Sequence, residues 1–98
     1  MTIDKKLNGK TLEVALTGRL DTVTAPDLEA ALKEDMPAAD SLVLDFSALD
    51  YISSAGLRVL LSAHKTMSPK GGMKVTHVNE IVREVFDVTG FSDILSIE

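Results

Sequence analysis

Cysteine is absent from the sequence. Disulfides and thiolate metal sites are therefore excluded, and the composition is compatible with a reducing cytoplasm, which is the expected location. Long hydrophobic runs are absent too. No apolar stretch approaches the ~20 residues of a membrane-spanning helix, so membrane insertion is not expected. No signal peptide is visible, because Met1-Thr2-Ile3-Asp4-Lys5-Lys6 leads into a strand pattern. Positive charge is in deficit, with 10 Lys and Arg against 15 Asp and Glu and a net charge of -5. That balance argues against direct nucleic-acid binding and against an anionic membrane surface, and is compatible with a basic protein partner. The phosphate-binding loop of nucleotide hydrolases is missing, since Gly71-Gly72 is not followed by Lys and Ser or Thr. His64 and His77 are isolated and show no paired carboxylate spacing, so no metal and no cofactor are expected.

What is present is a chain of 98 residues, 45% apolar, enough for one domain over residues 1–98 with one modest core. Residues 2–18 read as a β-hairpin. Asn8-Gly9 is the turn signal, and Leu12, Val14 and Leu16 alternate with Glu13, Ala15 and Thr17. Gly18-Arg19-Leu20-Asp21 then leaves the sheet. A helix follows, with Thr24 as N-cap, Pro26 in its first turn, Asp27 at the reciprocal capping position and a stripe of Leu28, Ala31, Leu32 and Met36 before Pro37. Leu42-Val43-Leu44 reads as a strand covered on both faces. After it, Leu57, Leu60, Leu61 and Met67 take helical spacing, and Ser68-Pro69-Lys70-Gly71-Gly72 breaks the helix. Met73 to Val78 is a short strand. Asn79 caps a third helix carrying Val82, Val85 and Phe86, Gly90 ends it, and a last strand centres on Ile94-Leu95. Met67 and Met73 are read as core fillers. The fold class is thus α/β: an N-terminal β-hairpin, then alternating helices and strands around a mainly parallel sheet. Val14, Leu16, Leu28, Leu32, Leu57, Leu60, Leu61, Val85 and Phe86 are the predicted core.

The junction between the central strand and the second helix holds the polar residues of interest. Ser53 or Ser54 sits at a helix N-terminus, where unpaired N–H groups and the helix dipole favour negative charge. The pair can be a plain helix cap, a place for a bound phosphate, or a site where a serine is itself phosphorylated. A nucleophilic serine fits poorly. The elbow motif G-x-S-x-G fails at Ser54, where Ile52 replaces the first glycine, and at Ser53, which is flanked by Tyr51 and Ala55. No hydrolase, and no enzyme, is expected. Asp21 and Asp45 follow predicted strands. Each either begins a loop or lies near the serines beyond the strand ends.

Asp45-Phe46-Ser47-Ala48-Leu49-Asp50-Tyr51-Ile52-Ser53-Ser54-Ala55-Gly56-Leu57 resembles the signature of STAS domains, specifically the stand-alone anti-sigma factor antagonists of bacteria. Leu16-Thr17-Gly18-Arg19-Leu20-Asp21 is similar to the family's strand-end segment with its functional aspartate, and Val85-Phe86-Asp87-Val88-Thr89-Gly90-Phe91 to its final helix and turn. The resemblance covers almost the whole chain and implies the STAS fold. It places the phosphorylated serine at Ser54, with Ser53 as second candidate, because Ser53 stands where the family has aspartate. Ala55 stands where it has a second serine. Asp21, Ser53, Ser54, Ala55 and Gly56 are the implied partner-binding residues. The implied partners are an anti-sigma factor that is also an ATP-dependent serine kinase, and a metal-dependent serine phosphatase. By the same resemblance, the unphosphorylated form is expected to bind the kinase and free the sigma factor. Two further readings are a STAS switch acting on a non-sigma effector and a STAS subunit of a membrane transport complex.

Overall fold

Alternation of apolar and polar residues at the start of the chain produces the hairpin. In the computed structural model, which describes residues 1–98, β1 (Thr2–Asn8) pairs antiparallel with β2 (Thr11–Leu20). Asn8 is paired with Thr11, so the two loop residues are Gly9-Lys10, one position later than the Asn8-Gly9 signal indicates. Gly9 takes the positive φ of 64°. Leu12, Val14 and Leu16 are buried, as the alternation requires. β2 does not leave the sheet at Gly18. It runs on to Leu20, itself fully buried.

The first helix, α1 (Ala25–Asp35), ends in a short 3₁₀ turn over Met36–Ala38 that carries Pro37. Leu28, Leu32 and Met36 face inward. β3 spans Ser41–Ile52, far beyond the predicted Leu42-Val43-Leu44. Its buried residues are Leu42, Leu44 and Phe46 at spacing two, then Leu49 and Ile52 at spacing three. The register explains the change. β3 holds an extra residue relative to β2 between the pairs Ala15–Asp45 and Thr17–Ala48, and another between Gly18–Leu49 and Arg19–Tyr51. Each bulge re-aims the following side chains to keep an apolar one inward.

α2 (Ser54–Met67) buries Leu57, Val59, Leu60, Ala63 and Met67, while Leu61 is only half-buried. β4 (Met73–Thr76) stops before His77, which adopts a left-handed φ of 56° and so cannot continue the strand to Val78. α3 (Glu80–Thr89) buries Val82 and Phe86 against the core and leaves Val85 half-buried at its edge. Asn79 caps it and ties it to the sheet: its Oδ1 accepts the Val82 N–H at 2.8 Å, and its Nδ2 donates to the carbonyl of Leu49 in β3 at 2.7 Å. Gly90 ends α3 as expected. The last strand, β5 (Ser96–Ile97), begins after Ile94-Leu95 rather than on them, because a 3₁₀ turn occupies Phe91–Asp93 and Leu95 is used as a core residue.

The five strands lie in chain order, β1-β2-β3-β4-β5, and all pairs after the hairpin are parallel. When successive parallel strands are laid down in one direction with one crossover hand, every helix falls on the same side of the sheet. The 24 buried apolar residues accordingly form one cluster between helices and sheet. The other face is open. Glu13, Ala15, Val43 and Asp45 are only half-buried on it, so β3 is not covered on both faces as the apolar run Leu42-Val43-Leu44 implied. No helix is long and apolar enough to cross a membrane.

Candidate functional site

β2 and β3 end side by side. Leu20 pairs with Ile52, and the Ser53 N–H donates to the Leu20 carbonyl at 2.9 Å. The residues that follow, Asp21 on one chain segment and Ser53-Ser54 on the other, therefore emerge together at one end of the sheet. The structure brings these sequence-predicted residues together and gives each a distinct task.

Ser53 is the N-cap of α2. Its backbone is extended (φ -99°, ψ 175°) and its Oγ accepts the Gly56 N–H at 3.4 Å. The half-buried hydroxyl is thereby committed to the helix terminus. Ser54 is the first helical residue and is exposed. Ala55 is half-buried and Gly56 buried. A Cβ on Gly56 would lie 2.7 Å from Leu20 Cγ and 2.9 Å from Ile52 Cγ1. Those atoms belong to fully packed side chains, so α2 can rest this closely on the ends of β2 and β3 only with glycine here. Gly56→Ala should cost about 1–3 kcal/mol by overpacking, read as a lowered urea midpoint. An unchanged midpoint would show that the helix end moves freely.

Asp21 organises the loop into α1. Its Oδ1 accepts the Val23 N–H at 3.0 Å and the Thr24 N–H at 3.1 Å. The expected Thr24 side-chain cap is not made. The Thr24 hydroxyl instead accepts the Asp21 N–H and donates to the Arg19 carbonyl, each at 2.8 Å. The Thr24 backbone N–H is the chief cause that holds the Asp21 carboxyl below the usual carboxylate range. Partial desolvation opposes it, and the Val23 N–H, the Thr24 hydroxyl and the Arg19 charge add to it. Asp21 is thus a fixed negative charge at neutral pH. Arg19 reaches it at 3.8 Å and lies over the Tyr51 ring at 4.3 Å. Arg19 and Tyr51 are register partners on β2 and β3, a pairing that two distant stretches of sequence do not display. Val23, beside Asp21, is 81% exposed, an apolar side chain offered to solvent at the rim of the site.

Asp45 does not join this group. It lies within β3, paired with Ala15 and Thr76, because the strand continues past it to Ile52. Its Oδ1 accepts the Ser47 N–H at 2.9 Å and meets His77 Nδ1 at 3.2 Å. The Ser47 N–H is the main cause that lowers its carboxyl below the ordinary value, with His77 contributing less. His77 therefore does have a carboxylate beside it, one that the linear spacing hides. No group of three or more metal-ligating side chains is assembled anywhere in the structure.

Residues 2–98 match the family profile described as STAS domain. The chain is 29% identical over 98 residues to the anti-sigma-B factor antagonist of Bacillus subtilis, covering 99% of this chain and 90% of that protein. It is 33% identical over 89 residues to the anti-sigma F factor antagonist of Paenibacillus polymyxa, covering 88% of this chain and 76% of the relative. The crystal structure of an anti-sigma factor antagonist from Mycobacterium paratuberculosis superposes with a TM-score of 0.89 at 26% identity, over 98% of this chain and 83% of that one. With the family profile spanning residues 2–98 and the same architecture recovered in three dimensions, the chain belongs to the STAS domain family.

Proposed function

We propose that this protein is an anti-sigma factor antagonist working by phosphorylation-controlled partner switching, with residues 1–98 acting as one STAS domain. In its unphosphorylated form it binds an anti-sigma factor that is also a serine kinase, and the sigma factor is released. Transfer of the ATP γ-phosphoryl group to Ser54 ends that interaction, and a metal-dependent serine phosphatase restores it. The protein acts in the cytoplasm by binding, without a reaction of its own. The names of its relatives support the antagonist role. The observation that carries the site assignment is the division of labour at the start of α2: Ser53 is engaged as the cap, whereas Ser54 stands exposed next to it. Asp21, Ser53 and Ala55 form the rest of the partner-facing surface, whereas Gly56, buried against Leu20 and Ile52, supports that surface from beneath instead of offering a contact of its own.

The electrostatics suit such a switch. Phosphate on Ser54 adds about -1.5 to -2 charge at neutral pH, at a helix N-terminus that tolerates it. The fold therefore survives. The new charge adds to the negative surface that Asp21 already presents to a partner, and juxtaposing like charges across an interface costs several kcal/mol. Since about 1.4 kcal/mol is tenfold in affinity, immobilised unphosphorylated protein should retain its cognate anti-sigma factor. The phosphorylated form should retain it at least about tenfold less well. Equal retention of both forms would overturn the switch, and capture of a transporter component instead would overturn the sigma assignment.

A further inference from the structure

The chain has three arginines, and they differ in what they touch. Arg19 is held by Asp21 and Tyr51. Arg83 reaches Asp87 at 3.8 Å, one turn further along α3. Arg58 is exposed on α2 and forms no ion pair. It borders a shallow groove between α1 and α2, of about 200 Å³, together with Thr22, Pro26 and Ala55. The one carboxylate on that groove, Glu29, is already engaged by Lys33 at 3.6 Å.

Arg58 stands four residues after Ser54, which puts both side chains on one helix face. Cα–Cβ bonds in an α-helix tilt toward its N-terminus, so the later side chain leans over the earlier one. Acid before base is also the more favourable order at this spacing. Ser54 supplies the acid only once it is modified. A guanidinium meets phosphate oxygens in pairs, which a lysine ammonium cannot do in the same fixed geometry.

We infer that Arg58 is the clasp for the phosphate on Ser54. The modified side chain lies back along α2, with two phosphate oxygens on the guanidinium fork, rather than turning toward Asp21. The inference rests on Ser54 being the acceptor. Its consequence is that modification alters two surface charges at once: a phosphate appears, and the one uncommitted arginine near the site is withdrawn from any partner.

The test uses the full chain with phosphoserine placed at residue 54 during translation, with Arg58 retained or changed to R58Q or R58K. The second ionisation of the phosphate, followed by ³¹P NMR, should lie about 0.2–0.4 pH unit higher in R58Q than with Arg58 present. R58K should recover only part of that difference. The unmodified R58Q chain should melt at the parent temperature, because Arg58 is exposed and unpaired, which separates the effect from folding. Superimposable titrations would overturn the clasp while leaving Ser54 as acceptor. A titration that responds to Arg58, together with a kinase that phosphorylates Ser53 alone, would overturn the inference through its premise.

Discussion

Ser54→Ala will leave the protein folded and remove nearly all phosphate incorporated by its partner kinase. The side chain is exposed at the first position of α2 and carries no structural duty there, so its loss costs the fold little. The chemistry, by contrast, needs a hydroxyl that can approach a γ-phosphate in line while the backbone beneath it stays still. The α2 cap provides that stillness, through Ser53 Oγ on the Gly56 N–H and through the Leu57 N–H on the Ser53 carbonyl at 3.0 Å. Ser53→Ala should accordingly behave in the opposite sense. Phosphate incorporation should fall far less than in Ser54→Ala, while stability falls by about 1 kcal/mol for the lost cap. Intact-mass measurement after reaction with the kinase, followed by site localisation, reads both variants. Phosphate on Ser53 with none on Ser54 would reverse the assignment.

Leu60→Ala should be strongly destabilising. Leu60 is fully buried on the inner face of α2, among the side chains that join the helix layer to the sheet. Truncation loses the transfer free energy of the removed methyl groups and leaves a cavity that a close-packed interior fills only in part, for a total of about 2–5 kcal/mol. A domain of this size has about 5–15 kcal/mol in all. The same loss corresponds to a melting temperature lower by about 10–30 °C. Leu61→Ala, one residue along on the half-buried flank of α2, should cost clearly less. Urea unfolding of the pair checks the contrast. Equal destabilisation by the two variants would mean that the inward face of α2 has been misassigned.

The Asp45–His77 pair and the two serines show opposite relations between sequence and space. The serine pair and the Asn79 cap are local matters: a polar residue before a helical apolar stripe, or an asparagine before Glu80, acts on backbone groups within three or four residues, although Thr24 shows that the same signal fails when the hydroxyl finds the Asp21 N–H and the Arg19 carbonyl first. Such features are legible because the chain itself brings the partners together. The hairpin, the alternation of Leu12, Val14 and Leu16, and the stripes of α1 and α2 are legible for the same reason, since each periodicity records which face is inward. The end of β3 was not. Asp45, Ser47 and Asp50 look like turn residues, and the inward spacing shifts from two to three, because two bulges compensate a register that only pairing with β2 reveals. That hidden extension carried Asp45 away from the serines and beside His77.

By itself, then, the sequence determined the class of fold, the order of its elements, most of the buried stripe of each helix (Leu61 and Val85 fall at its edge) and the serine-bearing start of α2, all set by periodicity and by caps within a few residues. Only the tertiary structure decided which face of the sheet stays open, which aspartate accompanies the serines, and how closely α2 approaches the strand ends. Those outcomes depend on strand register and crossover hand, and on how closely Leu20 and Ile52 let Gly56 approach, which are relations between segments far apart in the chain.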